Sequence, residues 1–140
     1  MIGERDFAEF SSEIKSGRKA YRCSYCDRII PKGVRHIYAN FRGNRRFCNQ
    51  EHANRFVAAV EFGARPRDVV ACTDVFCCQL VVVLIKGVPY LCAKESHSMI
   101  GMTLNGRTLS KSEWDNPIIL TDGVNTVAKK DGAEIFCIKI

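Results

Sequence analysis

The chain has no apolar run approaching the roughly 20 residues that a membrane-spanning helix needs; its longest candidate, Val75 to Ile85, is about half that. The N-terminus lacks the basic-then-apolar pattern of a secretory leader. Internal repeats and low-complexity tracts are also missing, which sets aside a repeat array. Cysteine is present, but eight in 140 residues is below the density of a secreted disulfide scaffold. Together these absences predict a soluble protein of a reducing, intracellular compartment: the cytoplasm, or the nucleus if the source is eukaryotic. Hydrophobic content of 46% predicts a globular chain, and its length allows one domain or two very small ones.

Acidic residues are scarce in one half only. Residues 1–68 hold 14 Lys and Arg against 8 Asp and Glu, whereas residues 69–140 hold 7 against 7, so the whole formal charge of +6 lies in the first half. Between Arg18 and Arg55 ten basic residues meet two acids, Asp27 and Glu51. Such a local field attracts phosphates or an acidic protein surface.

The same stretch contains Cys23-x2-Cys26 and, after 21 intervening residues, Cys48-x3-His52. Zinc takes four soft or borderline ligands, and these are the right types in a workable spacing. A tight turn at Cys23-Ser24-Tyr25-Cys26 aims two thiolates at one point. Cys48 and His52 are four apart, so at the start of a helix they share a face and complete the tetrahedron. His36, between the pairs, is the rival fourth ligand.

Local signals divide the chain into residues 1–66 and 67–140. Phe7, Phe10 and Ile14 ahead of Gly17 predict an amphipathic helix over about Glu4 to Ser16. A turn at Pro31-Lys32-Gly33, a strand near Val34 to Ala39, a turn at Arg42-Gly43-Asn44 and a strand into Cys48 follow. Asn49 is the expected N-cap for a helix over Gln50 to Phe62, whose Phe56, Val57 and Val60 share a side and which ends at Gly63. Beyond Ala64-Arg65-Pro66-Arg67 the pattern turns to β. Val75 to Ile85 predicts a buried strand, with a helix over Asp74 to Ile85 as the alternative, and Gly87-Val88-Pro89 a turn. Asn105-Gly106 is a hairpin signal, and Asp122-Gly123 and Asp131-Gly132 mark further tight turns. The expected fold class is α+β: a small N-terminal helix and a zinc finger packed on a β-rich domain, a small sheet or open barrel.

Cys72, Cys77, Cys78, Cys92 and Cys137 lie in apolar surroundings and are expected as buried core thiols. A second metal site from Cys72, Cys77, Cys92 and His97 can be drawn, as can a Cys nucleophile with His97 as base, but neither has a recognised spacing. Tyr21, Tyr25, Tyr38 and Phe41 alternate with arginines, a pattern that suits either base stacking or a thin core.

The segment from Cys23-Ser24-Tyr25-Cys26 through Lys32-Gly33 and Arg46-Phe47-Cys48-Asn49-Gln50-Glu51-His52 to Phe56 resembles treble-clef zinc fingers. The nearest likeness is to the ribosomal L24e-like, MYM/TRASH-type and gyrase-inhibiting groups, and it spans residues 23–62. The resemblance implies one structural zinc and binding to RNA, DNA or protein. In those groups the fourth ligand is usually Cys, whereas position 52 here is His. His36 and Asn44 between zinc cysteines also look like an HNH endonuclease centre, but Arg35 stands where that family has an acid.

The expectation that follows is a non-enzymatic zinc protein that binds nucleic acid or a nucleic-acid-processing machine. Arg35, Arg42, Arg45 and Arg46 would make the phosphate contacts from the solvent-exposed face of a hairpin. The alternatives are a protein-binding regulator or inhibitor of a host enzyme and, less favoured, an HNH-like nuclease.

Overall fold

The computed structural model describes residues 12–75, 78–94 and 96–140. Within them lie 13 strands in four sheets and two α-helices, a mostly β member of the α+β class. The chain divides into two compact units, residues 3–69 and 70–140.

The first unit contains β1 (Ser12–Ser16), β2 (Tyr21–Arg22), β3 (Ile29–Ile30), β4 (Arg35–Asn40), β5 (Asn44–Phe47) and the helix α1 (Gln50–Phe62). Strands β1, β4 and β5 form an antiparallel sheet in the order β1-β4-β5. Period-two alternation sorts β4 and β5 into two faces. Ala39 and Phe47 are buried, with Ala53, Phe56, Val57, Ala58 and Ala59 of α1 buried too, and the Phe47 and Phe56 rings meet at 5.4 Å. His36, Tyr38 and Arg46 occupy the other face. The helix starts where Asn49 Oδ1 accepts the His52 amide at 2.9 Å. It stops at Gly63, whose φ of 70° is open to glycine at little cost.

The helix expected over Glu4 to Ser16 lies mostly outside the described residues, and its last part is corrected: Ser12–Ser16 is strand β1. Pairing with β4, from Ser12 opposite Ala39 to Ser16 opposite Arg35, gives these backbone groups partners that a helical pattern of side chains does not reveal.

The second unit holds β6 (Val69–Val75), β7 (Cys78–Ile85), β8 (Val88–Lys94), β9 (Thr103–Leu104), β10 (Arg107–Thr108), the short helix α2 (Lys111–Trp114), β11 (Ile118–Ile119), β12 (Val124–Ala128) and β13 (Glu134–Lys139). They form two four-stranded sheets, β11-β8-β7-β6 and β10-β9-β12-β13. Both sheets contribute to one apolar cluster, with Leu80, Val82 and Leu91 from the first, Leu104, Val127 and Ile138 from the second, and Trp114 and Met99 among them. The helix alternative over Asp74 to Ile85 is overturned, and the single strand from Val75 is replaced by two strands, β6 and β7. A continuous apolar run carries no mark of where one buried strand gives way to the next. The turn after β7 is Lys86-Gly87, with φ of 52° and 80°, and Val88 already pairs with Ile85. Asn105-Gly106 turns as expected, with φ of 52° and 82°.

No helix among the described residues is long and apolar enough to cross a membrane.

Candidate metal centre

Cys23 and Cys26 sit on the turn between β2 and β3. The Asp27 amide donates to the Cys23 carbonyl at 2.9 Å, and the Cys23 amide donates to the Arg28 carbonyl at 2.9 Å. Asp27 itself takes φ 64°, a left-handed geometry that a short polar side chain tolerates. Arg22 braces this turn by donating to the Asp27 carbonyl at 2.9 Å. The Ser24 amide donates to the Arg46 carbonyl at 2.9 Å, which ties the turn to β5, the strand that leads into Cys48.

The second pair arrives with the start of α1. The N-cap bond from the His52 amide to Asn49 fixes the turn carrying both Cys48 and His52, and the Cys48 amide donates to Cys23 Sγ at 3.4 Å. The ligand atoms of Cys23, Cys26, Cys48 and His52 lie within 4.8 Å of one another, a group that could hold one metal ion. Cys26 Sγ stands 3.6 Å from Cys48 Sγ, and Cys23 Sγ stands 3.6 Å from His52 Nδ1. A zinc–sulfur bond of about 2.3 Å implies tetrahedral edges of about 3.8 Å between sulfurs and about 3.6 Å between sulfur and nitrogen. A disulfide would bring the sulfurs to about 2 Å. The spacing therefore suits a shared cation, and the donor set of three thiols and one imidazole is of the soft type that favours zinc.

Electrostatics point the same way. Burial alone would raise the Cys26 thiol, but the Arg28 backbone amide, the neighbouring Cys48 and Cys23 thiols and the Arg28 charge outweigh it, and its pKa is lowered. Burial, then the hydrogen bond with Cys26 and the charge of Cys23, push the Cys48 thiol up to about 12. Without a cation the cluster cannot sustain three thiolates; a divalent ion reverses that balance. Burial and the Arg55 charge lower the His52 pKa and keep its imidazole neutral, the form that ligates. Cys23 is 1% exposed, whereas Cys26 is exposed and borders an open cleft of about 450 Å³ with Tyr25, Asp27 and Arg67.

His36, the rival ligand, is outside the cluster. It is 3% exposed, its Nδ1 donates to the Val34 carbonyl at 2.8 Å, and its Nε2 accepts from Arg46 Nη1 at 3.0 Å. Those partners assign a neutral ring with both nitrogens engaged.

The four arginines expected on phosphate separate into two pairs. Arg35 and Arg42 are exposed. Arg46 is half-buried, its guanidinium 4.1 Å from the Tyr21 ring centre and 4.6 Å from that of Tyr38. Arg45 lies 4.9 Å over Phe56 and donates to the carbonyls of Phe41 and Arg42 at 3.4 and 3.2 Å. The expectation of a solvent-exposed hairpin face therefore fails for Arg45 and Arg46. The reason is geometric: Tyr38 is the cross-strand neighbour of Arg46, and Phe56 follows one turn into the core face of α1. The Tyr25 ring likewise carries Arg55 at 5.7 Å and His52 at 4.7 Å.

Among the described residues no second group of three or more His, Cys, Asp or Glu comes together, and Cys77 lies outside them. Cys72 and Cys78 are buried as expected. Cys92 is only half-buried, and the expectation for Cys137 is corrected: it is exposed on β13, where its thiol donates to Glu134 Oε2 at 2.9 Å. Period-two alternation puts it on the outer side of an edge strand.

No protein-family model matches the chain, and neither does any curated protein or solved structure.

Proposed function

We propose that this is a zinc protein in which Cys23, Cys26, Cys48 and His52 hold one structural ion, and that the finger so formed binds nucleic acid. The observation that carries the zinc is the convergence of four donor atoms within 4.8 Å of one another, two of their separations being 3.6 Å. The succession of a Cys-x2-Cys turn, the β4–β5 hairpin and a helix whose start carries the second ligand pair, Cys48 just ahead of it and His52 in its first turn, supports a treble-clef finger. All four tetrahedral positions are taken by protein, so the ion's role is to hold turn and helix together. The exposed basic residues, in a stretch whose acids between 14 and 50 reduce to Asp27, favour a polyanion as partner. The proposed role is non-enzymatic: a nuclease base at His36 would need a free ring nitrogen, and both of its nitrogens have partners.

An acidic protein surface is the second reading. It is favoured by Ile29 and Val34, which are 56% and 46% exposed on the same finger and offer apolar contact beside the charge. Elemental analysis of the purified protein should give one zinc per chain and none in Cys48→Ala. Binding to a random-sequence oligonucleotide should weaken steeply with salt. Absence of zinc overturns the metal assignment, and absence of any oligonucleotide binding at low salt transfers the basic surface to the protein reading.

A further inference from the structure

We infer that the finger meets the phosphate backbone of duplex nucleic acid through the end of its three-stranded sheet that carries Arg18, Lys19, Lys32 and Arg35, and not through the β4–β5 hairpin. This rests on the nucleic-acid reading above and assigns it a surface and a form of partner. Two connections meet at this end. Ser16, the last residue of β1, stands opposite Arg35, and the Gly33 amide donates to the Gly17 carbonyl at 3.0 Å. That brings the Gly17-Arg18-Lys19 segment alongside Lys32-Gly33-Val34-Arg35, and all four basic side chains are exposed. In the sequence the acids flanking these four residues are Glu13, three positions before Ser16, and Asp27, which is ion-paired with Arg22 at 3.7 Å. The far end of the sheet has less to offer: Arg42 is exposed there, but Arg45 and Arg46 are turned onto rings and carbonyls.

The form of the partner follows from the aromatics. Binding of single strands rests on ring faces that accept bases. Here Tyr21 has Arg46 at 4.1 Å and Lys19 at 5.4 Å, and Tyr38 has Arg46 at 4.6 Å and Lys15 at 4.3 Å. With each ring engaged by cations, the surface offers charge without stacking. Charge density is highest on a duplex. Contacts to phosphate alone read no sequence.

The test compares two charge-matched double variants of the zinc-loaded full chain, Lys32→Gln/Arg35→Gln and Arg42→Gln/Arg67→Gln, on a random-sequence 20-base-pair duplex, its separated strand and poly-glutamate across a salt series. The first variant should lose about tenfold or more in duplex affinity at low salt and flatten the log–log salt slope by about 2, since each phosphate left without its cation takes about 0.9 from the slope. The second should change affinity by less than about threefold, and the duplex should bind more tightly than the single strand. Both variants should keep one zinc and the parent melting temperature. Equal losses in the two variants, or a larger loss in the Arg42/Arg67 pair, overturn the surface while leaving nucleic-acid binding intact. A single strand that binds better than the duplex overturns the form of the partner. Poly-glutamate that binds better than either nucleic acid overturns the nucleic-acid reading and this surface assignment together.

Discussion

The first unit, residues 3–69, in which the proposed finger lies, and the β-rich second unit are of similar length but bury different cores. In the first unit the large buried apolar side chains are few, chiefly Phe47, Phe56, Ile30 and Val57, and much of the remaining buried set is alanine. In the β-rich unit, Trp114, Leu80, Leu91, Met99, Val82 and Val127 form one fully buried cluster fed by both sheets. On the zinc reading proposed above, a ligand set would do for the first unit what apolar area does for the second. A structural zinc can contribute on the order of 10 kcal/mol to folding, comparable with or larger than what burying these few side chains adds at about 1.5–3 kcal/mol each.

The largest effect expected from this contrast is at the ligands. Cys48→Ala removes a donor and leaves a charge-poor metal site, so the finger should fail to fold at any zinc concentration while the second unit keeps its strand content. Circular dichroism with zinc titration checks this. Next in size is Trp114→Ala, expected to cost the β-rich unit about 3–5 kcal/mol through the cavity it leaves while zinc stoichiometry stays at one. Trp114→Phe should cost much less, because the Trp114 Nε1 is buried without a partner and its loss leaves no bond broken.

Acidification should weaken the first unit more than the second. In the metal-free protein the Cys48 thiol, pushed up to about 12, keeps its proton through neutral pH, so zinc must displace it. Each displaced proton lowers zinc affinity about tenfold per unit fall in pH. The sign is therefore stabilisation at neutral and alkaline pH that is lost as pH falls. His52, already neutral at pH 7 because its pKa is lowered, adds to the loss only below that pKa. Calorimetric titration of zinc in two buffers of different ionisation enthalpy counts the protons. The smallest effect is at the helix cap: Asn49→Ala should lower finger stability by about 1 kcal/mol and weaken zinc several-fold, since the same bond positions His52.

The two regions were also unequally legible in the sequence. Between residues 21 and 63, ligand spacing, the Asn49 cap and the Gly63 stop are local signals, and strands, helix and cluster fall where they place them; ahead of that, the helical pattern running to Ser16 misled, because β1 is defined by its pairing with β4. What the local signals missed there was stacking. A run of arginines suggests a solvated face, yet counting back from the Arg42-Gly43 turn sets Tyr38 opposite Arg46, and that register carries the clue. In the β-rich unit only Asn105-Gly106 and similar turns spoke plainly. Lys86-Gly87 was missed because lysine seldom takes positive φ. Strands of two residues, such as β9 to β11, are defined by their partners in the sheet and leave no periodicity of their own.

Hydrogen exchange read by mass spectrometry, with and without a strong zinc chelator, tests the central contrast most directly. On chelation, residues 21–63 should lose protection down to the level of an unfolded chain, while residues 78–94 and 124–139 keep theirs. Retained protection in residues 21–63, or loss spread evenly across both regions, would contradict the account of one region held by metal and another by its own apolar core.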